Sequence, residues 1–286
     1  MIWSITSKDE MENYGTSPVF RFYQEALGRD KIQLAVVDEN DGLDFVSKND
    51  IVLLRTASRL LIDTIKNKRL RSTAEYYDRY ELVCDKFKVG KFLHRTRILV
   101  PRSFQLEEVQ EGKTYFVKPR YGSDSFGVSE KSICHSASEV REQVWKLHDN
   151  DTEATIEEYI EGKEFTATCI NDGILKVYAI EIDCANSCGI QTYESKKDYE
   201  EVGLRIKDVQ TKLKVESLAR QTFTELDLRH HARIDMRMDK QGQLYVIDVN
   251  LLPGLGPTGD LARCMLLNGN MSYIDALNAV LNTATR

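Results

Sequence analysis

The stretch from Ala232 to Asn250 constrains the fold more tightly than any other part of the chain. Residues 232–239 read Ala-Arg-Ile-Asp-Met-Arg-Met-Asp, a strict alternation of apolar and charged side chains. A period of two puts Ala232, Ile234, Met236 and Met238 on one face of a strand and Arg233, Asp235, Arg237 and Asp239 on the other. After a turn at Asp-Lys-Gln-Gly242, the chain runs Leu-Tyr-Val-Ile-Asp-Val-Asn250. A regular hairpin places Asp235 opposite Val246, with Asp248 as its diagonal neighbour, roughly 7–8 Å away. Two carboxylates and the Asn250 amide are oxygen-only donors, a set suited to a hard cation such as Mg2+ and unsuited to zinc. Asp235, Asp248 and Asn250 are therefore the candidate metal ligands.

The rest of the chain reads as mixed α/β. Ile2 to Ile5, Ile32 to Val37 and Ile51 to Leu54 have strand length, with helices expected over Pro18 to Leu27 (Ser17 as N-cap) and Ala57 to Leu70. Leu60, Leu61, Ile65 and Leu70 would share one side of the latter. Strand–helix–strand order suggests a small Rossmann-like α/β unit. Further on, Thr114 to Lys118 reads as a strand and Ala137 to His148 as a helix. Phe165 to Ile170 and Leu175 to Ile182 read as a hairpin, and Asp208 to Leu226 as a helix. The expected division is three lobes, 1–78, 79–156 and 157–286. At 286 residues and 42% hydrophobic composition the chain can bury a core without disulfides, and its six cysteines are scattered. A formal charge of −6, from 39 basic and 45 acidic residues, argues against general nucleic-acid binding. The absence of a long apolar run and of a basic, apolar leader suggests neither a membrane span nor a secretory signal, hence a cytoplasmic location.

Two further features carry chemistry. Lys118 ends the strand Tyr115-Phe-Val-Lys and is followed by Pro119 and the loop Gly122-Ser-Asp-Ser-Phe-Gly127, whose backbone N–H groups and hydroxyls can cover phosphate oxygens. The lysine precedes the glycines, the reverse of a protein kinase. Gly112-Lys-Thr114 lacks the first glycine of a Walker loop, since Glu107 stands there. Gly254-x-Gly256-x-x-Gly259 matches a dinucleotide fingerprint formally, but Pro253 and Pro257 interrupt it and no ribose-binding acid follows.

Taken in order, four segments resemble the ATP-grasp ligases, with D-alanine–D-alanine ligases as the nearest branch. They are Asp85-Lys86 before a helix ending in Ile-Leu-Val-Pro101; Val117-Lys-Pro with its glycine loop; Glu157-Glu-Tyr-Ile-Glu-Gly-Lys-Glu-Phe165; and Ala232-Arg-Ile-Asp-Met to Tyr-Val-Ile-Asp-Val-Asn-Leu-Leu-Pro-Gly254. The resemblance implies an ATP-grasp fold: an N-terminal α/β domain and two lobes clamping ATP. It implies that Lys86 and Lys118 hold the α- and β-phosphates. The loop Gly122, Ser123, Ser125 and Gly127 would close over them, with Ser125 also near the reaction. Glu157, Glu158, Tyr159 and Ile160 would meet adenine through the backbone, and Glu164 would accept from the ribose. Lys196 would lie near the γ-phosphate, Arg233 would stabilise charge in the acyl-phosphate and tetrahedral states, and Asp235, Asp248 and Asn250 would hold one or two Mg2+ ions, with Mn2+ as an alternative.

The implied activity is an ATP-dependent carboxylate–amine ligation through an acyl phosphate, on an amino acid or similar small acid. The partners are small-molecule acid and amine substrates, and the resemblance suggests a homodimer. The same site could instead close a ring or form an ester, and a nucleotide-binding module without ligase activity is the reading from another class. The chain also departs from the family. Asp248 stands where glutamate is usual, no glycine-rich substrate motif appears before residue 30, and Gly259 stands where a serine would hold the second substrate's carboxylate. These departures argue against D-alanyl-D-alanine as product. Asp260 and Arg263 are expected to shape a different substrate pocket.

Other clusters have plainer readings. Cys184 and Cys188 lack a second ligand pair for zinc. His230-His231 could assist in acid–base work but read rather as solvated or capping histidines. The run Lys66 to Arg71 reads as a helix end, and Tyr76, Tyr77 and Tyr80 as packing residues.

Overall fold

The computed structural model describes the chain except for residues 9, 12–15, 39, 123–124, 186–187, 193, 195–201, 270 and 285–286; for residues 16–18 and 202 it describes the backbone alone. Three short, largely apolar runs form a parallel sheet from β1 (Ile2–Ser7), β2 (Ile32–Val37) and β3 (Ile51–Leu54), which the two-residue β4 (Arg71–Ser72) extends, in the order β2-β1-β3-β4. Parallel neighbours need crossovers. Helix α1 (Thr16–Leu27) follows β1, and α2 (Arg59–Lys68) joins β3 to β4. The first helix starts at Thr16, so Ser17 lies inside its first turn and not at the expected cap. Pro18 tolerates this because first-turn N–H groups have no helical acceptor. In α2 the Ser58 side chain accepts from the Leu61 N–H, and Arg69 ends the helix in the left-handed region at φ 54°. Leu61, Ile62 and Ile65 are buried, whereas Leu60 is 49% exposed and does not join the expected face.

Helices α3 (Tyr77–Cys84) and α4 (Lys86–Arg95) lead into a second sheet. Asp85 between them accepts from the Lys88 N–H and from the forked Arg120 guanidinium, at 2.9 and 2.7 Å. The sheet comprises β5 (Ser103–Phe104), β6 (Tyr115–Pro119), β7 (Ile133–Cys134) and β8 (Ala154–Glu158), in the order β5-β8-β6-β7. Helix α5 (Ala137–His148) covers it, and Tyr115, Val117, Cys134, Val140, Leu147 and Ile156 make its core.

The third sheet is antiparallel: β9 (Gly162–Asn171), β10 (Leu175–Asp183), β11 (Val202–Arg205), β12 (His231–Asp239) and β13 (Leu244–Asn250), ordered β11-β10-β9-β12-β13. Phe165, Ala167, Cys169, Ala232, Ile234 and Met236 share one face, which α6 (Val209–Glu225) covers with Val215, Ala219 and Phe223. Helices α7 (Asp260–Gly269) and α8 (Tyr273–Asn282) close the chain, and Leu261, Met265, Leu277 and Val280 pack with Tyr23, Leu27 and Leu53 of the first sheet's layer.

The β12–β13 register differs from a regular hairpin. Met236 pairs with Val246, but Asp235 pairs with Asp248, so Ile247 is an extra residue in a β-bulge. Strict alternation would group Asp248 and Asn250 with Leu244 and Val246. The bulge inverts the alternation, so that Leu244, Val246, Val249 and Leu251 all enter the core while Asp248 and Asn250 join the face of Asp235. The two acids are direct partners, not diagonal ones.

The histidines also differ from expectation. His230 and His231 are buried at 1% and 2% exposure: His231 opens β12 opposite Ile170, and His230 just before it donates its N–H to Glu75. Burial lowers His230 to about 4, against the bond from Nδ1 to the Thr283 carbonyl, and lowers His231 to about 3. Neither is a solvated or acid–base residue. Among the described residues no helix is long and apolar enough to cross a membrane.

Gly162 begins β9, where a Cβ would overlap the Met238 carbonyl of β12. Gly162→Ala should lower stability by about 2–3 kcal/mol, as for an overpacked core position. Gly173→Ala, at a positive φ but in open space, should lower it by about 1 kcal/mol. Urea midpoints at unchanged slope measure both; equal losses would show that the strand contact at Gly162 does not matter.

Candidate active site

The polar face of the third sheet carries an ordered set of cross-strand pairs. Glu164 of β9 lies opposite Arg237 of β12, Thr166 opposite Asp235, and Thr168 opposite Arg233; on the other flank, Asp248 faces Asp235 and Asn250 faces Arg233. Asp235 is buried and accepts from Thr166 Oγ1 at 2.5 Å, from Arg233 Nε at 3.1 and 3.2 Å, and from Arg233 Nη2 at 3.0 Å. Arg233 Nη1 lies 3.7 Å from Asp260, which also accepts from Arg263 at 3.3 Å. One guanidinium thus holds two acids in place.

The Asp248 side chain makes no hydrogen bond or ion pair among the described residues. A carboxylate set directly across from a second carboxylate is destabilising unless a cation lies between or beside them. Arg233 pairs with Asp235 at 3.0 Å, whereas Asp248 has only the longer-range attraction of Lys86. Asn250 shares its face, with Oδ1 accepting from the Leu252 N–H at 2.9 Å. Oxygen donors with a surplus negative charge fit a hard divalent cation. The residues present therefore suit Mg2+ chemically.

A cleft with about 790 Å3 of open space, solvent included, lies over this face. Lys86, Lys118, Gly122, Ser125, Glu157, Glu158, Tyr159, Ile160, Glu164, Arg233, Asp235 and Asp248, all singled out from sequence, line it together. Lys118 is buried and uses two of its three protons, one on Glu157 at 2.8 Å and one on the Ile247 carbonyl at 2.9 Å. That carbonyl belongs to the bulge residue, so the same irregularity that turns Asp248 outward also seats the lysine. Lys86 follows the Asp85 cap and donates to the Gly122 carbonyl. Desolvation in the cleft lowers its ammonium below the ordinary lysine value, against the attraction of Asp248.

In the glycine loop, Gly122, Ser125 and Gly127 all have positive φ, at 103°, 56° and 73°. A Cβ on Gly127 would come within 2.7 Å of Pro119 Cγ, which explains the glycine there. Gly127 does not line the cleft. Ser123 and Lys196 lie outside the described residues.

At the far end, the segment 157–160 is held in place by its flanks. The Glu158 N–H donates to the Arg102 carbonyl and the Tyr159 N–H to the Thr114 carbonyl, while the Ile160 N–H makes no backbone bond among the described residues. Arg237, which sequence reasoning placed on the polar face without a role, supports this end. It donates to the carbonyls of Ile160, Gly162 and Gly189 and to Glu164, each at 2.8 Å, and stacks over Tyr159 at 5.5 Å. Its position opposite Glu164 was the available signal. Phe116, 6.4 Å from Tyr159 in a stacked arrangement, completes the wall.

Asn250 lines a second cavity, of about 1080 Å3, which shares Gly122 and Asp248 with the first. The expected substrate residues are placed otherwise. Asp260 and Arg263 line neither cavity; Asp260 serves Arg233 instead. Gly259 is tightly enclosed, since a Cβ there would lie 2.7 Å from the Gly254 carbonyl. Among the described residues no group of three or more His, Cys, Asp and Glu is placed to hold a metal ion; Asp235, Asp248 and Asn250 are two acids and an amide.

The chain is similar to known proteins in sequence and fold. Residues 91–281 match the family model described as D-ala D-ala ligase C-terminus. D-alanine–D-alanine ligase A of Bacillus cereus is 24% identical over 279 residues, covering 91% of this chain and 90% of that protein. D-alanine–D-alanine ligase B of Clostridium perfringens is 26% identical over 183 residues. For several curated relatives the match spans only about half of their length, at 52%, 57% and 46%. Among solved structures, D-alanine–D-alanine ligase from Bacillus anthracis complexed with ATP superposes with a TM-score of 0.76 at 20% identity, over 99% of this chain and 96% of that one. The VanG D-Ala:D-Ser ligase from Enterococcus faecalis gives 0.73 at 18%, over 99% and 97%. The fold is that of the ATP-grasp ligases, and with two-thirds of its length matched by the family model, the chain belongs to the D-Ala–D-Ala ligase family.

Proposed function

We propose that this protein is an ATP-dependent carboxylate–amine ligase that works through an acyl phosphate. One observation carries the reading: two lysines, a facing pair of aspartates and a strand end with a spare backbone N–H converge on one cleft. Adenine would lie against Phe116 and Tyr159, with the Ile160 N–H as donor and Glu164 near the ribose. Lys86 and Lys118 each keep at least one proton for the phosphates. Asp235, Asp248 and Asn250 would hold Mg2+, which supplies charge neutralisation at the phosphates when bound. Joining a carboxylate to a γ-phosphate brings anions together, so the surrounding cations lower the barrier electrostatically. Arg233 faces the reacting end and would stabilise negative charge on the acyl phosphate and on the tetrahedral adduct. Acyl phosphates hydrolyse, and the loop Gly122, Ser123, Ser125 and Gly127 would exclude water. Lys196 would join the γ-phosphate on closure. In this reading the three lobes 1–78, 79–156 and 157–286 meet around the nucleotide.

The product is proposed to differ from D-alanyl-D-alanine. What supports this is the crowding at Gly259, where a serine side chain has no room, and the engagement of Asp260 by Arg233.

Lys118→Ala and Asp235→Asn should each reduce substrate-dependent ADP release at least 100-fold. Asp235→Asn also leaves Arg233 short of a buried partner, so circular dichroism melts should accompany the assay. Turnover within tenfold of the parent, in a folded variant, would contradict the reading. Stripping divalent ions with EDTA should abolish ADP release. Mg2+ or Mn2+ should restore it and Zn2+ should not; restoration by zinc alone would contradict the oxygen-donor site.

A further inference from the structure

The second cavity contains an unusual cation. Arg55 directly follows β3, at the carboxyl end of a parallel strand, where open α/β sheets bind their ligands. Its Nη2 donates to the Leu252 and Pro253 carbonyls, at 3.2 and 2.8 Å, in the turn just after Asn250. Its Nη1 is buried without a partner, and among the described residues no carboxylate lies within ion-pair distance of the guanidinium. An enclosed charge without a counterion is costly. The cavity beside it is walled by Val19, Tyr23, Tyr80, Val83, Leu252 and Leu255 and opens onto Asp248 and Gly122 of the nucleotide cleft.

Resting on the ligase reading, we infer that this cavity takes the acid substrate, that Arg55 is the counterion of its carboxylate, and that the acid is an apolar one larger than alanine. The six apolar or aromatic walls suit a branched or aromatic side chain. Alanine would leave most of that apolar surface uncovered, and burial of apolar area is the term that would distinguish the two. Glu10 lines the same cavity, so groups of both charges face the ligand and amino acids are the proper probes. The Leu252 and Pro253 carbonyls fix the guanidinium, which makes Arg55 a preset anchor and links acid binding to the turn that follows the metal ligands.

The experiment uses the full chain with Mg2+–ATP and measures ADP release stimulated by leucine, phenylalanine and alanine (both enantiomers of each), with glycine and D-alanine supplied as amine acceptors. Leucine or phenylalanine should exceed alanine at least tenfold in kcat/KM, and leucinamide, which lacks the carboxylate, should not stimulate. Arg55→Met should raise the KM for the favoured acid at least 30-fold while the KM for ATP changes less than threefold. Arg55→Lys should recover part of the loss. A purely structural Arg55 would instead lower kcat or shift both KM values together, which overturns the anchor. Stimulation by alanine as strong as by the larger acids overturns the size assignment and leaves the ligase reading intact. No stimulation by any carboxylate overturns both.

Discussion

A single extra residue in β13 organises the site. A strand of period two cannot bury Leu244, Val246, Val249 and Leu251 and still present Asp248 and Asn250 to the opposite side. The bulge at Ile247 resolves this by inverting the alternation midway. It brings Asp248 directly across from Asp235 and turns the Ile247 carbonyl to Lys118. Core packing on one face and charge placement on the other are thus two results of one backbone irregularity.

The site depends on buried charges that are held in groups. Arg233 joins Asp235 and Asp260, Lys118 joins Glu157, and Arg237 joins Glu164 and three carbonyls. Removing one member of a buried pair costs about 3–5 kcal/mol, because the other is left uncompensated. Such groups are therefore rigid, and rigidity suits electrostatic catalysis, in which dipoles and charges must already point at the developing charge. Asp248 and Arg55 differ from these in that their side chains make no ion pair among the described residues. They lie on the shared border and in the lining of the second cavity, where a metal and an acid would supply what is missing.

Much of this was legible in the sequence. The alternation from Ala232 to Asp239 gave the polar and core faces correctly, and the four ordered segments assembled around one cleft. What periodicity could not show was the bulge, because Tyr-Val-Ile-Asp-Val is apolar on both faces and admits either register. Arg237 was visible as a polar-face residue, but its carbonyl partners at Ile160, Gly162 and Gly189 come from distant loops. Arg55 meets Leu252 and Pro253 across nearly 200 positions of sequence. The burial of the histidine pair comes from Glu75, Ile170 and Thr283, which lie far from it in sequence and are not written in the dipeptide.

The most direct measurement is a crystal structure with a non-hydrolysable ATP analogue and Mn2+, located by its anomalous signal. The account predicts a peak within coordination distance of Asp235, Asp248 and Asn250, with the triphosphate between Lys86 and Lys118. A peak elsewhere, or the three side chains diverging around an occupied nucleotide, would contradict it.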